Sequence, residues 1–153
     1  MANNATHITV TGNLTRDPEG RFTASGVFVT RISVAVTPRR FDRQAGEWTD
    51  GETTYWDATA WRALAEHAAE SLRKGDRVIA TGTVTTQRWQ DAESGEPRSR
   101  VVLELDDIGP SLAWATATVT KAARTTGGPN RSTTAPADDP WAGAKTATDE
   151  PPF

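Results

Sequence analysis

Residues 53–75 read TTYWDATAWRALAEHAAESLRKG, and the fold turns on how this stretch divides. The first part, Thr53 to Trp61, mixes threonines with aromatics, a composition suited to a pleated, half-buried strand. From Arg62 to Lys74 the period changes. Leu64, Ala65, Ala68, Ala69 and Leu72 fall on one stripe of a helix, and Gly75 stands where a helix ends.

Outward from this strand and helix the pattern is β on both sides. Ile8, Val10 and Leu14 lie on one face of a first strand, with Gly12 as a bulge or bend. Asp17-Pro18-Glu19-Gly20 reads as a turn. Ile32, Val34 and Val36 alternate in a second strand over residues 27–37. Residues 42–52, with Asp42, Gly46, Asp50 and Gly51, read as a long hairpin loop. After the helix come strands over 77–89 and 98–105, separated by the turn-rich stretch Asp91–Pro97, and the apolar segment Leu112–Val119 reads as a further strand. Three strands, a helix and two strands is the order of an OB-fold barrel, and other small β-barrels share it. The expectation is an all-β chain with one helix: a five-stranded OB-fold barrel with an extended hairpin, an extra C-terminal strand and a disordered C-terminal tail.

Composition changes near Lys121. Beyond it Ala, Thr, Gly, Pro and Asp dominate, and Trp141 and Phe153 are the only large apolar residues. Such a segment cannot bury enough surface to offset its ordering entropy. The division is a domain over 1–121, a disordered linker over 122–148 and a tip over 149–153. A length of 153 residues suits this plan. With no cysteine, disulfides and thiolate metal sites are excluded. The start lacks the basic and apolar regions of a signal peptide, and no run approaches the roughly 18 apolar residues of a membrane span. A cytoplasmic, nucleoid-associated protein without a membrane partner is expected.

The net charge is −3, but its distribution is uneven. Residues 16–43 hold six arginines against Asp17, Glu19 and Asp42. Residues 44–70 are acidic, and 73–100 turn basic again through Arg73, Lys74, Arg77, Arg88, Arg98 and Arg100. Taken alone this is a solvated mixed-charge surface; it also permits a positive groove on an acidic protein.

The aromatics sharpen the choice. Tyr55 and Trp61 are six apart on one strand, so they share a face, and Trp56 points the other way. That face also carries Asp57 and Thr59, which suits a wet surface better than a core. Trp89 stands beside Arg88, and Phe41 follows Arg39 and Arg40. Flat rings stack on any base while arginines follow the phosphates, the combination a single-strand groove needs. Trp48, in the loop between Gly46 and Gly51, has two placements open to it: against its own hairpin or against DNA. Asp149-Glu150-Pro151-Pro152-Phe153 combines two acids, two stiffening prolines and an aromatic beside a free carboxylate. It is a compact ligand for an apolar pocket with a basic rim.

Enzymatic patterns are missing. His7 and His67 lack ligand spacing, no phosphate-cradling glycine loop occurs, and Asp106 and Asp107, adjacent on a strand, point oppositely. No metal, cofactor or catalytic residue is expected.

Over nearly its whole length the chain resembles the bacterial single-stranded DNA-binding proteins. The resemblance rests on Val10-Thr11-Gly12-Asn13-Leu14 with Asp17-Pro18 and Arg21-Phe22, on Leu64-Ala65-Glu66 and Leu72-Arg73-Lys74-Gly75, on Gly82 leading to Arg88-Trp89, and on the acidic Pro-Pro-Phe end. The run from Asp106 through Val119 is similar to the extra C-terminal strand of the actinobacterial branch, which clamps subunits together. The resemblance implies an OB-fold homotetramer that binds single-stranded DNA in replication, recombination and repair. It places stacking aromatics at Phe41, Tyr55, Trp61 and Trp89, phosphate contacts at Arg21, Arg40, Arg73, Lys74 and Arg88, and a subunit contact at Trp56. The tip at 149–153 would dock replication and repair proteins. Arg40 stands where many members have tryptophan, so Phe41 substitutes only if its ring turns inward. Two other readings are an OB-fold nuclease, which would need a carboxylate cluster, and a primosome-type OB dimer, whose members lack the acidic Pro-Pro-Phe end.

Overall fold

Alternating apolar residues from five strands meet in one buried core. They are Val10 and Leu14 on β1 (Thr6–Leu14), Ile32 and Val34 on β3 (Phe28–Val36), Ala58 and Ala60 on β6 (Thr54–Trp61), Val78 and Ala80 on β7 (Arg77–Gln90), and Leu103 and Leu105 on β8 (Pro97–Pro110). The structure is a computed structural model that describes residues 4–123, and its main compact unit ends at Thr118. The strands follow the order β1-β7-β8-β6-β3. β3 then returns to β1 through Asn13↔Ala35 and Leu14↔Val34, so the sheet closes into a ring. The β6–β8 pairing is parallel and the rest are antiparallel. This is the five-stranded OB-fold barrel, with its helix between the third and fourth barrel strands.

Helix α1 (Arg62–Ser71) lies against β3 and β6 and places Ala65 and Ala68 in the core. Alanines let the helix backbone come close to the sheet, where the Thr30 hydroxyl donates a buried hydrogen bond of 2.9 Å to the Ala65 carbonyl. The helix is three residues shorter than its periodicity predicts. Leu72 leaves helical geometry (φ −106°, ψ 147°) and is itself buried in the core. Gly75, at φ 89°, shapes the turn into β7 and donates its N–H to the Leu14 carbonyl rather than capping the helix.

Three further elements differ from the sequence expectation. A short strand β2 (Glu19–Phe22) pairs with β3 and begins within the predicted turn. The predicted loop over 42–52 contains the turn and second strand of a ribbon, β4 (Arg39–Asp42) paired with β5 (Glu47–Asp50). All eight residues of that ribbon are exposed, so no hydrophobic alternation marks it. Its turn is set by Asp42, whose Oδ1 accepts from the Gln44 and Ala45 N–H groups, and by Gly46 at φ 69°. Finally, β8 continues to Pro110, and Leu112–Val119 forms no strand. Apolar composition alone does not make a strand, because a strand needs a ladder partner, and no described segment pairs with this one. The linker beyond residue 123 and the tip over 149–153 lie outside the described residues.

The β7–β8 ladder depends on close backbone approach at Gly82. The β7–β8 ladder shifts register between Thr81 and Gly82, and a Cβ on Gly82 would collide with the Glu104 carbonyl oxygen. Gly82→Val should therefore cost at least about 1–3 kcal/mol of stability, read as a lowered midpoint in urea unfolding followed by circular dichroism.

Candidate nucleic-acid interface

Residues opposite one another across a ladder share a face, so the register builds the site directly. On the outer side of the barrel, Arg21 on β2, Val29 on β3 and Trp61 on β6 form one row. The next row holds Glu19, Arg31 and Thr59. Ser33 pairs with Asp57, and Ala35 with Tyr55. Tyr55 and Trp61 thus bracket the outer face of β6, about 20 Å apart at roughly 3.3 Å per residue. On the neighbouring hairpin, Gln87 pairs with Arg100 and Trp89 with Arg98.

The exposure of these rings decides whether they are core or platform. Tyr55 is 68% exposed, Trp61 42% and Trp89 44%, all far above the core residues. Their chain positions explain it. β6 turns Trp56, Ala58 and Ala60 inward, so Tyr55 and Trp61, at the alternate positions, stand outside. Trp61 is the last residue of β6, and Arg62 follows with φ 57°, which turns the chain into α1.

Beside Trp89 lies a cleft of about 520 Å³ lined by Arg31, Gln87, Arg88, Trp89 and Arg100. Arg100 is its most constrained cation. Its Nη2 donates to Gln87 Oε1 at 3.2 Å, and its guanidinium carbon lies 5.7 Å from the centre of the Trp89 ring, within cation–π reach. Arg31 and Arg100 were absent from the sequence-derived site. Alternation alone could have flagged Arg31, a charge between the apolar-facing Thr30 and Ile32 of a central strand.

The other expected residues fall elsewhere. Arg40 and Phe41 lie on the β4–β5 ribbon, which is a sheet of its own. There Phe41 packs edge-to-face on Trp48, with centroids 5.5 Å apart, so Trp48 lies against its own hairpin while both rings stay largely exposed. Lys74 donates its backbone N–H to Asp17 Oδ1 at 2.8 Å and leaves its side chain exposed. The Arg73 guanidinium is turned back on α1, donating to the Ala69 and Leu72 carbonyls at 3.0 and 2.8 Å. Trp56, opposite Val34, is half-buried against the core of its own chain. The tip residues Asp149, Glu150, Pro151, Pro152 and Phe153 lie outside the described residues.

Among the described residues no three His, Asp or Glu side chains gather as a metal ion would require. Asp106 lies 3.3 Å from His7 in a simple pair. No described helix is long and apolar enough to cross a membrane.

Comparison with known proteins bears on the chain as a whole. A model of the single-strand binding protein family matches residues 5–111. A single-stranded DNA-binding protein of Mycobacterium bovis is 47% identical over 161 aligned residues, covering 97% of this chain and 98% of its own. One from Paenarthrobacter nicotinovorans is 49% identical over 147, covering 90% and 86%. The crystal structure of a small single-stranded DNA-binding protein from Streptomyces coelicolor matches with a TM-score of 0.61 and 34% identity, over 72% of this chain and 98% of that one.

The Arg73 geometry has a direct consequence. Arg73→Ala removes two hydrogen bonds to otherwise open helix-end carbonyls. It should lower stability by roughly 1 kcal/mol, detected in the same urea titration, whether or not nucleic acid is present.

Proposed function

This chain belongs to the single-strand binding protein family, and from that premise we propose that it holds single-stranded DNA, without reading sequence, on the outer face carrying Tyr55, Trp61 and Trp89. The observation that carries this reading is the exposure of all three rings on barrel strands, interleaved with Arg21, Arg88 and Arg100. Exposed rings on fixed strands lose little freedom when a base stacks on them, and every base has a stacking face. The arginines supply charge for the backbone and make binding salt-dependent. Phe41 and Arg40 extend the same surface chemistry onto the ribbon. Lys74 offers a free ammonium at the foot of α1, and Arg73 joins it only by leaving its helix cap.

The wider role follows from the same premise. A protein that coats unpaired strands serves DNA replication, recombination and repair. The tip Asp149–Phe153 recruits the enzymes of those processes through the Phe153 ring and the acids Asp149 and Glu150. The working form is a homotetramer in the cytoplasm at the nucleoid, with the exposed part of Trp56 available to a second subunit.

Binding to oligo-dT, followed by tryptophan fluorescence, tests the site. Trp61→Ala and Trp89→Ala should each cost about 1–3 kcal/mol of affinity, the worth of one stacked base. Native-like affinity in both variants would remove the face from consideration. Deleting 149–153 should leave oligo-dT affinity intact or tighter while abolishing capture of replication and repair proteins on an affinity matrix. Equal capture by the truncated chain would reject the docking role.

A further inference from the structure

A second cleft, of about 350 Å³, adjoins the one beside Trp89. Arg16, Arg31, Asp57 and Arg100 line its walls over a floor that includes Thr59 and Val102. Arg31 and Arg100 are common to both clefts. We propose that these two arginines form a seat for one phosphate of the bound strand, at the middle of the sheet between the Trp89 and Trp61 platforms. The proposal rests on the single-stranded DNA reading of this face and adds where the backbone is pinned.

Charge is the first argument. Three guanidinium groups face a single carboxylate, and among the described residues Asp57 reaches only Arg100, at 4.0 Å, the outer limit of an ion pair. No ion pair involves Arg31 among the described residues, although Glu19 stands opposite it on β2. Arg100 Nε is shielded from solvent and finds no acceptor among the described residues. Two like charges lining one cleft, incompletely neutralised by protein, attract an anion.

Shape and position are the second. The floor of the cleft is made of small or buried side chains, Ala58, Thr59 and Val102, with no ring to stack a base. An oxyanion fits there, and the fork of a guanidinium matches phosphate oxygens bidentately. The base has its surface in the adjoining cleft, on Trp89. Both arginines stand on barrel strands, and Arg100 is already held by Gln87, so little ordering remains to be done on binding. One nucleotide would then span both clefts, its ring on Trp89 and its phosphate between Arg31 and Arg100.

The salt dependence of oligo-dT binding isolates this contact. One phosphate contact contributes about 0.7 to the log–log slope for a single strand. Arg31→Gln should lower the slope by about that amount, and Arg31→Gln with Arg100→Gln by less than twice it, because both act on one phosphate. Arg31→Lys should restore the slope, since charge returns even though the fork does not. Next, a methylphosphonate is walked through a short oligo-dT. At one position it should weaken wild type and leave Arg31→Gln unaffected. Native mass and thermal unfolding check that each variant is folded and assembled; if Arg31→Gln fails them, Arg100→Gln carries the same two measurements. An unchanged slope in a folded variant, or equal methylphosphonate losses in wild type and variant at every position, overturns the phosphate seat while leaving the stacking face standing. Absence of oligo-dT binding by wild type would instead sink the reading beneath it.

Discussion

The short pairing of β3 with β1, two residue pairs at Asn13↔Ala35 and Leu14↔Val34, is the constraint on which the rest depends. Once the sheet closes, each barrel strand has an inside and an outside, and strict alternation sorts its residues between them. The inside is narrow, which is why β6 offers it Ala58 and Ala60 and why Gly12 and Gly82 lie where backbones approach. Of the large rings of β6, the half-buried Trp56 turns toward the core, while Tyr55 and Trp61 take the alternate, outward positions. Tyr55 and Trp61 are outside because the ring is closed, and a one-residue slip of β6 would turn the exposed Asp57 inward together with them.

Closure also resolves the charge pattern. Along the chain the basic stretches 16–43 and 73–100 are separated by an acidic one. In the barrel β3 and β8 both pair with β6, so Arg31 from the first stretch and Arg100 from the second line the same clefts. The acidic stretch supplies Asp57 to this surface, while Glu47 and Asp50 lie on the ribbon and Glu66 and Glu70 on α1. A net charge of −3 and a cationic cleft are therefore compatible, because a sum over the chain carries no spatial information.

How much of this was legible in the sequence varied by the physical signal each part leaves. The barrel strands and helix are written as periodicity: Ile32, Val34 and Val36, then Ala65, Ala68 and Leu72. The shared face of Tyr55 and Trp61 follows from an even spacing. The β4–β5 ribbon left no such trace, because nothing in it is buried. Leu112–Val119 misled in the opposite sense, being apolar and β-branched without a strand to pair with. Arg31 and Arg100 escaped because they lie 69 residues apart and become neighbours only through the parallel β6–β8 pairing. The resemblance implies a phosphate contact at Arg73, while the structure has its guanidinium on carbonyls at the end of its own helix, a use that depends on where the helix stops.

The platforms differ in how firmly the chain holds them, and that difference orders their roles. Tyr55 and Trp61 grow from β6, which pairs with β3 over its whole length in the closed barrel; Trp89 stands further out, on the two-stranded end of the β7–β8 hairpin, with Arg100 against its ring. Their geometry exists before any ligand arrives, so stacking energy goes into affinity rather than into ordering the site. Phe41 and Trp48 stand on a two-stranded ribbon without a buried residue, and an isolated hairpin of that kind is marginal in water. Their edge-to-face contact, 5.5 Å between centroids, is itself part of what holds the ribbon together. A base that stacked on Phe41 would compete with Trp48 for that ring. On the proposed reading the barrel face is the primary seat of a strand, and the ribbon engages second, once the strand is already fixed and the loss of the Phe41–Trp48 contact can be offset.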